Sequence, residues 1–159
     1  MKKTALFIFL IFFILASCNT TEKRKESYAE TKIIFRNNEL IVEIASTKKE
    51  MSKGLMERES LDKNNGMLFM YDKDCIPGFW MKNTTIPLSV AFINNDKTII
   101  QIEELTPLSL TPVSPYKSIK FALEVNRGWF EKNDIIIGDS FSFVESHGLT
   151  PVAPQTSTR

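Results

Sequence analysis

The stretch Ile86–Glu103, IPLSVAFINNDKTIIQIE, decides the fold class. Its first half places Ile86, Leu88, Val90 and Phe92 at every second position, the period of a pleated strand with one face against a core. Asn94-Asn95-Asp96 breaks the run with three turn-forming residues. Thr98–Glu103 then resumes in β-branched residues, so the stretch reads as a hairpin. Outward from it the pattern recurs. Lys32–Phe35 and Leu40–Ala45 flank Asn37-Asn38, and the second run sets Leu40, Val42 and Ile44 against Glu39 and Glu43. Met67–Tyr71 follows the turn dipeptide Asn65-Gly66. Lys120–Val125 alternates Phe121, Leu123 and Val125 with Ala122 and Glu124, and Ile135–Ile137 and Phe141–Val144 complete the set.

Two segments read as short helices. Thr47 and Glu50 fit a capping box, with Met51 and Leu55 one turn apart. Gly128–Asn133 has room for a single turn. Pro107, Pro112 and Pro115 make Thr106–Pro115 a long loop. Many short strands and few helices predict a mainly β fold: a compact, antiparallel barrel- or sandwich-like single domain with one or two short helices.

The two ends differ from this middle. Lys2 and Lys3 precede twelve unbroken apolar residues, Ala5–Ala16, too few to span a bilayer and the right length for a signal peptide. Leu15-Ala16-Ser17-Cys18 then resembles the lipobox of bacterial lipoproteins, in which the Cys is acylated and becomes the new amino terminus. The expected division is a signal peptide over 1–17, lipidated Cys18 and a flexible tether over 18–30, a β domain over 31–147 and a loose tail over 148–159. The expected location is the cell envelope, exported and membrane-anchored through Cys18, since several acyl chains hold durably. Asn19 is not the acidic residue associated with inner-membrane retention, which leaves the outer membrane open as a destination.

Twenty basic and nineteen acidic residues leave no excess charge to neutralise phosphates, so a nucleic-acid partner is not expected. With Cys18 acylated, Cys75 is the sole thiol and no intramolecular disulfide can form. One His and one thiol, without ligand spacing, predict no metal or other cofactor. A Cys75–His147 pair is a weak nucleophile candidate, because His147 sits beside the tail.

Four segments read together are distinctive: Gly54-Leu55-Met56-Glu57-Arg58, Gly66-Met67-Leu68-Phe69, Phe79-Trp80-Met81-Lys82-Asn83-Thr84, and Leu123-Glu124-Val125-Asn126 followed by Gly128. Gly138-Asp139 follows in the expected place. From about Leu40 to about Val144 the chain resembles the DUF192 family, also called UPF0127, small mostly β domains of bacteria and archaea that are often exported. The resemblance implies a compact β domain and brings no established activity. It departs at one position: after Ile86-Pro87-Leu88 the family commonly has Asp, and this chain has Ser89.

Trp80, Lys82, Asn83, Thr84 and Glu124 are the candidate ligand-binding residues. In an extended chain Trp80, Lys82 and Thr84 project one way, and Met81 and Asn83 the other. Trp80 would supply a flat apolar platform and the others would orient a polar ligand, a saccharide or cell-wall fragment. Glu124, between Leu123 and Val125, would want a cation if buried, and Lys82 is the partner expected. The leading functional expectation is a non-catalytic binding module. The alternatives are an envelope hydrolase using Glu124 with Lys82, for which a second carboxylate is wanting, and a structural or assembly lipoprotein that meets an envelope protein through the Pro-rich loop.

Overall fold

A computed structural model describes residues 28–144. The signal segment, Cys18, most of the expected tether, His147 and the tail lie outside the described residues. The elements are β1 (Ala29–Phe35), β2 (Asn38–Ala45), α1 (Lys48–Lys53), β3 (Asn65–Cys75), β4 (Leu88–Ile93), β5 (Ile99–Leu105), β6 (Ile119–Asn126), α2 (Trp129–Lys132) and β7 (Phe141–Phe143). The strands form one sheet in the order β5-β4-β6-β3-β2-β1-β7. The sheet curls towards closure, since Thr98 bridges Ser140 and the Ile99 N–H donates to the Asp139 carbonyl at 2.8 Å.

The β4–β5 hairpin forms as its alternation predicts, with Leu88 opposite Leu105. The mainly β, barrel-like expectation holds. One pair departs from antiparallel: β2 runs parallel to β3, because α1 and the chain after it carry the path back before β3 begins.

Both faces of the sheet are covered. Within the curl lie Phe35, Val42, Leu68, Ala91, Leu123 and Trp129. On the other face Met67, Phe69, Val90 and Ala122 pack with Leu55, Phe79 and Met81. All six residues of β4 are therefore buried, not only the alternating Leu88, Val90 and Phe92 of the sequence pattern.

Three local expectations change. Ile135–Ile137 is not a strand: Ile135 is buried, while Ile136 and Ile137 are exposed in a turn that ends at Gly138, φ +99°. Asn65-Gly66 begins β3 and does not form a turn. Ala29 and Glu30, placed in the expected tether, belong to β1, and Tyr28 packs against the second core cluster.

The capping box forms as read. The Thr47 hydroxyl accepts from the Glu50 N–H at 3.2 Å, and the Glu50 carboxylate accepts from the Thr47 N–H at 2.8 Å. Thr47→Ala should cost about 1 kcal/mol. Chemical denaturation would show it as a lower midpoint with an unchanged slope.

Candidate functional site

Residues 79–84 cross the outer face of the sheet and are held there by the Pro-rich loop. Phe79 and Val113 exchange two backbone hydrogen bonds of 2.8 Å, and the Met81 N–H donates to the Ser109 carbonyl at 2.8 Å. After Met81 the chain turns. The Thr84 N–H donates to the Met81 carbonyl at 3.1 Å, and Asn83 takes a φ of +53°, a conformation Asn tolerates better than most residues. The turn replaces the expected alternation. Met81 and Thr84 point inward, whereas Trp80, Lys82 and Asn83 stay at the surface. Trp80 is 49% exposed, with Lys82 Nζ 5.6 Å from its ring centroid.

Glu124 lies on β6 between Met67 of β3 and Val90 of β4, both 0% exposed. It faces the outer core cluster, opposite in direction to Leu123 and Val125, and is only 5% exposed. Its carboxyl has no hydrogen-bond or ion-pair partner among the described residues. Burial alone pushes its pKa up to about 8. The expected Glu124–Lys82 pair does not form, because the turn holds Lys82 over Trp80 at the surface.

A cleft of about 310 Å³ opens over Glu124. Thr84 lines it too, 4% exposed, its hydroxyl donating to the Lys82 carbonyl at 3.1 Å. Of the five candidate residues, Trp80, Thr84 and Glu124 meet there, while Lys82 and Asn83 lie outside its lining. The lining also holds residues the sequence did not single out for function: Tyr71, Phe69, Phe79, Met51 and Met56. The two Met residues read as core filler, and Tyr71 as an ordinary strand residue. The Tyr71 hydroxyl is pushed above its usual range by burial first, then by Cys75 and Glu124.

The segments behind the family resemblance converge on this cleft. Gly54, Leu55 and Met56 come from the first, Phe69 from the second, Phe79, Trp80 and Thr84 from the third, and Glu124 from the fourth. The Glu57 N–H ties the first to the third through the Asn83 carbonyl at 2.8 Å. The neighbouring Arg58 forks onto the Glu43 carboxylate, with one contact of 2.7 Å.

Ser89 faces away from the cleft. It is 3% exposed, and its hydroxyl accepts from the Gly128 N–H at 3.2 Å. A carboxylate at this position would sit by the α2 turn, not beside Glu124. Cys75 is a poor nucleophile, because burial and then Asp74 push its thiol pKa up. Asp139 caps a turn, accepting from the Ile136 N–H at 2.9 Å, and pairs with Arg36 at 2.7 Å. Among the described residues no group of three or more His, Cys, Asp or Glu could hold a metal ion.

Two solved structures share this architecture. One, from Sinorhizobium meliloti 1021, was named as a candidate transcription regulator. It is 31% identical, with 74% of this chain and 95% of that one covered at a TM-score of 0.72. Another, a protein of unknown function from Novosphingobium aromaticivorans DSM 12444, is 29% identical, with 72% and 84% covered at a TM-score of 0.65. No curated protein matches the chain. The DUF192 family, described as an uncharacterized ACR, matches residues 31–143, which take in every strand but the first two residues of β1 and every residue of the cleft. The chain belongs to the DUF192 family.

Proposed function

We propose that the domain is a non-catalytic module that binds a small polar ligand in the cleft over Glu124, carried on a lipid anchor at the cell envelope. The observation that carries the reading is a 5% exposed carboxyl with no partner, at the base of an open cleft lined by aromatic side chains. An unpaired buried carboxyl is costly, and a ligand that brings hydrogen-bond donors would relieve it. Trp80 at the rim offers a flat face for stacking. The anchor rests on the apolar run before Leu15-Ala16-Ser17-Cys18. It would place the cleft where saccharides and cell-wall fragments are met.

A hydrolase is the second reading, because a carboxyl raised to about 8 suits a general acid. Two features weigh against it. No second carboxyl lines the cleft, and Lys82 does not touch Glu124. A nucleic-acid role, suggested for the Sinorhizobium protein by its name, has no support in the near-equal basic and acidic counts.

Trp80→Ala should leave stability within about 0.5 kcal/mol of the parent, since the side chain is half exposed. It should abolish the thermal shift produced by a ligand found in a screen of sugars, muropeptides, nucleotides and small carboxylates. A ligand shift untouched by both Trp80→Ala and Glu124→Gln would place binding elsewhere and overturn the reading.

A further inference from the structure

The polar character of the cleft changes with depth. Among its lining residues, the polar side chains at least nine-tenths buried are Thr84 and Glu124. The single hydroxyl proton of Thr84 is committed to the Lys82 carbonyl, so its oxygen has only lone pairs to offer. An ionised Glu124 is acceptor-only as well. With Glu124 ionised, these two deeply buried side chains therefore accept and do not donate. The cleft's one lining cation, Lys53, is held by Glu57 at 2.6 Å. The apolar lining includes the rings of Phe69, Phe79 and Trp80, whose faces attract positive charge.

We propose that the ligand carries a primary ammonium group, which sets its N–H donors on the Glu124 carboxylate and the Thr84 hydroxyl oxygen beside the aromatic lining. This inference rests on the cleft being the ligand site and adds the charge of the ligand. A bound ammonium supplies both things that Glu124 lacks, a countercharge and a donor. A hydroxyl would supply only the donor.

Titration adds a signature. The titratable groups at the cleft are Glu124 of β6, Tyr71 of β3 and Lys53 of α1, while β4 presents Leu88 and Val90 towards Glu124. Burial pushes the pKa of Glu124 into the neutral range, to about 8. Below that value, docking of an ammonium must expel the Glu124 proton. For an amine that stays charged, such as phenethylamine, apparent affinity should then rise by about tenfold from pH 6 to 7 and level off on approach to 8. Proton release would be visible in buffers of different ionisation enthalpy.

The test is calorimetric titration of the protein with matched pairs: glucosamine against glucose and N-acetylglucosamine, and phenethylamine against 2-phenylethanol. The amine of at least one pair should bind at least tenfold tighter than its neutral partner, with proton release at pH 6.5. Glu124→Gln, close in shape but unable to carry charge, should remove that preference, and Thr84→Val should weaken it while circular dichroism reports an unchanged fold. Neutral partners that bind as well as the amines, with binding lost in Trp80→Ala, would overturn the ammonium inference and leave the polar-ligand cleft standing. Failure of every amine to bind would also overturn it, and the wider screen would then decide the cleft by itself. Binding untouched by Trp80→Ala and by Glu124→Gln would overturn both.

Discussion

Replacing Glu124 with Met should stabilise the protein by about 5 kcal/mol at pH 9 and by far less at pH 4. The group is buried, and its folded-state pKa lies near 8 against an ordinary value of about 4.5. For an acid shifted upwards, the unfolded chain holds fewer protons than the folded one between those two values. Stability then falls as pH rises through that window, by about 1.4 kcal/mol per unit. Below about pH 4.5 Glu124 is neutral in both states and the pH-dependent cost is absent. Above about pH 8 it is fully present. Met has a similar length and no charge, and its neighbours Met67 and Val90 are apolar and fully buried. The variant should flatten the parent's decline, with a melting midpoint at pH 9 raised by roughly 15–20 °C. Equal slopes in parent and variant would show that Glu124 is paired or hydrated. Stability given up at one buried polar position is what a ligand site would look like from the side of the fold.

Gly66→Ala should be the most damaging single-methyl addition, at about 2–3 kcal/mol. A Cβ there would lie 2.7 Å from the backbone oxygen of Glu124, with Leu40 and Val125 side-chain carbons at 3.1 Å. The nearest obstacle is the backbone of β6, so relief requires that β3 and β6 move apart where Gly66 pairs with Val125. Gly128→Ala is the contrast. No atom lies within 4 Å of its added carbon, and only its φ of +77° is penalised, so about 1 kcal/mol is expected. Because the Gly66 obstacle is Glu124 itself, Gly66→Ala should also weaken ligand binding in whatever fraction remains folded. Denaturant titration and ligand titration of the same preparation would check both effects.

The strands were legible because their side-chain alternation is a local property. Leu88, Val90 and Phe92 share a face in the sequence and in the sheet. What alternation could not show was that the β6 face opposite Phe121, Leu123 and Val125 is covered as well, since that depends on residues 79–84 and α1 lying across it. Glu124 therefore read equally as exposed or buried until those distant segments were in place. Lys82 and Asn83 drew attention by composition, yet a four-residue turn with Asn83 at positive φ separates them from the cleft. Phe69, Tyr71 and Met56 carry no functional signal in the sequence because each looks like ordinary core, and they gain a role only through what they surround. Gly66 read as turn chemistry next to Asn65, whereas its need is set by a strand contributed almost sixty residues later.

Ligand binding here turns on a carboxyl that is buried, ionisable and unpaired at the base of a cleft. The most direct measurement is an NMR titration of the Glu124 side-chain carboxyl carbon in the ligand-free protein, assigned by comparison with Glu124→Gln. A midpoint near 8 is the predicted result. A midpoint near the ordinary value of about 4.3 would mean that water or a cation already satisfies the group, and would contradict the account.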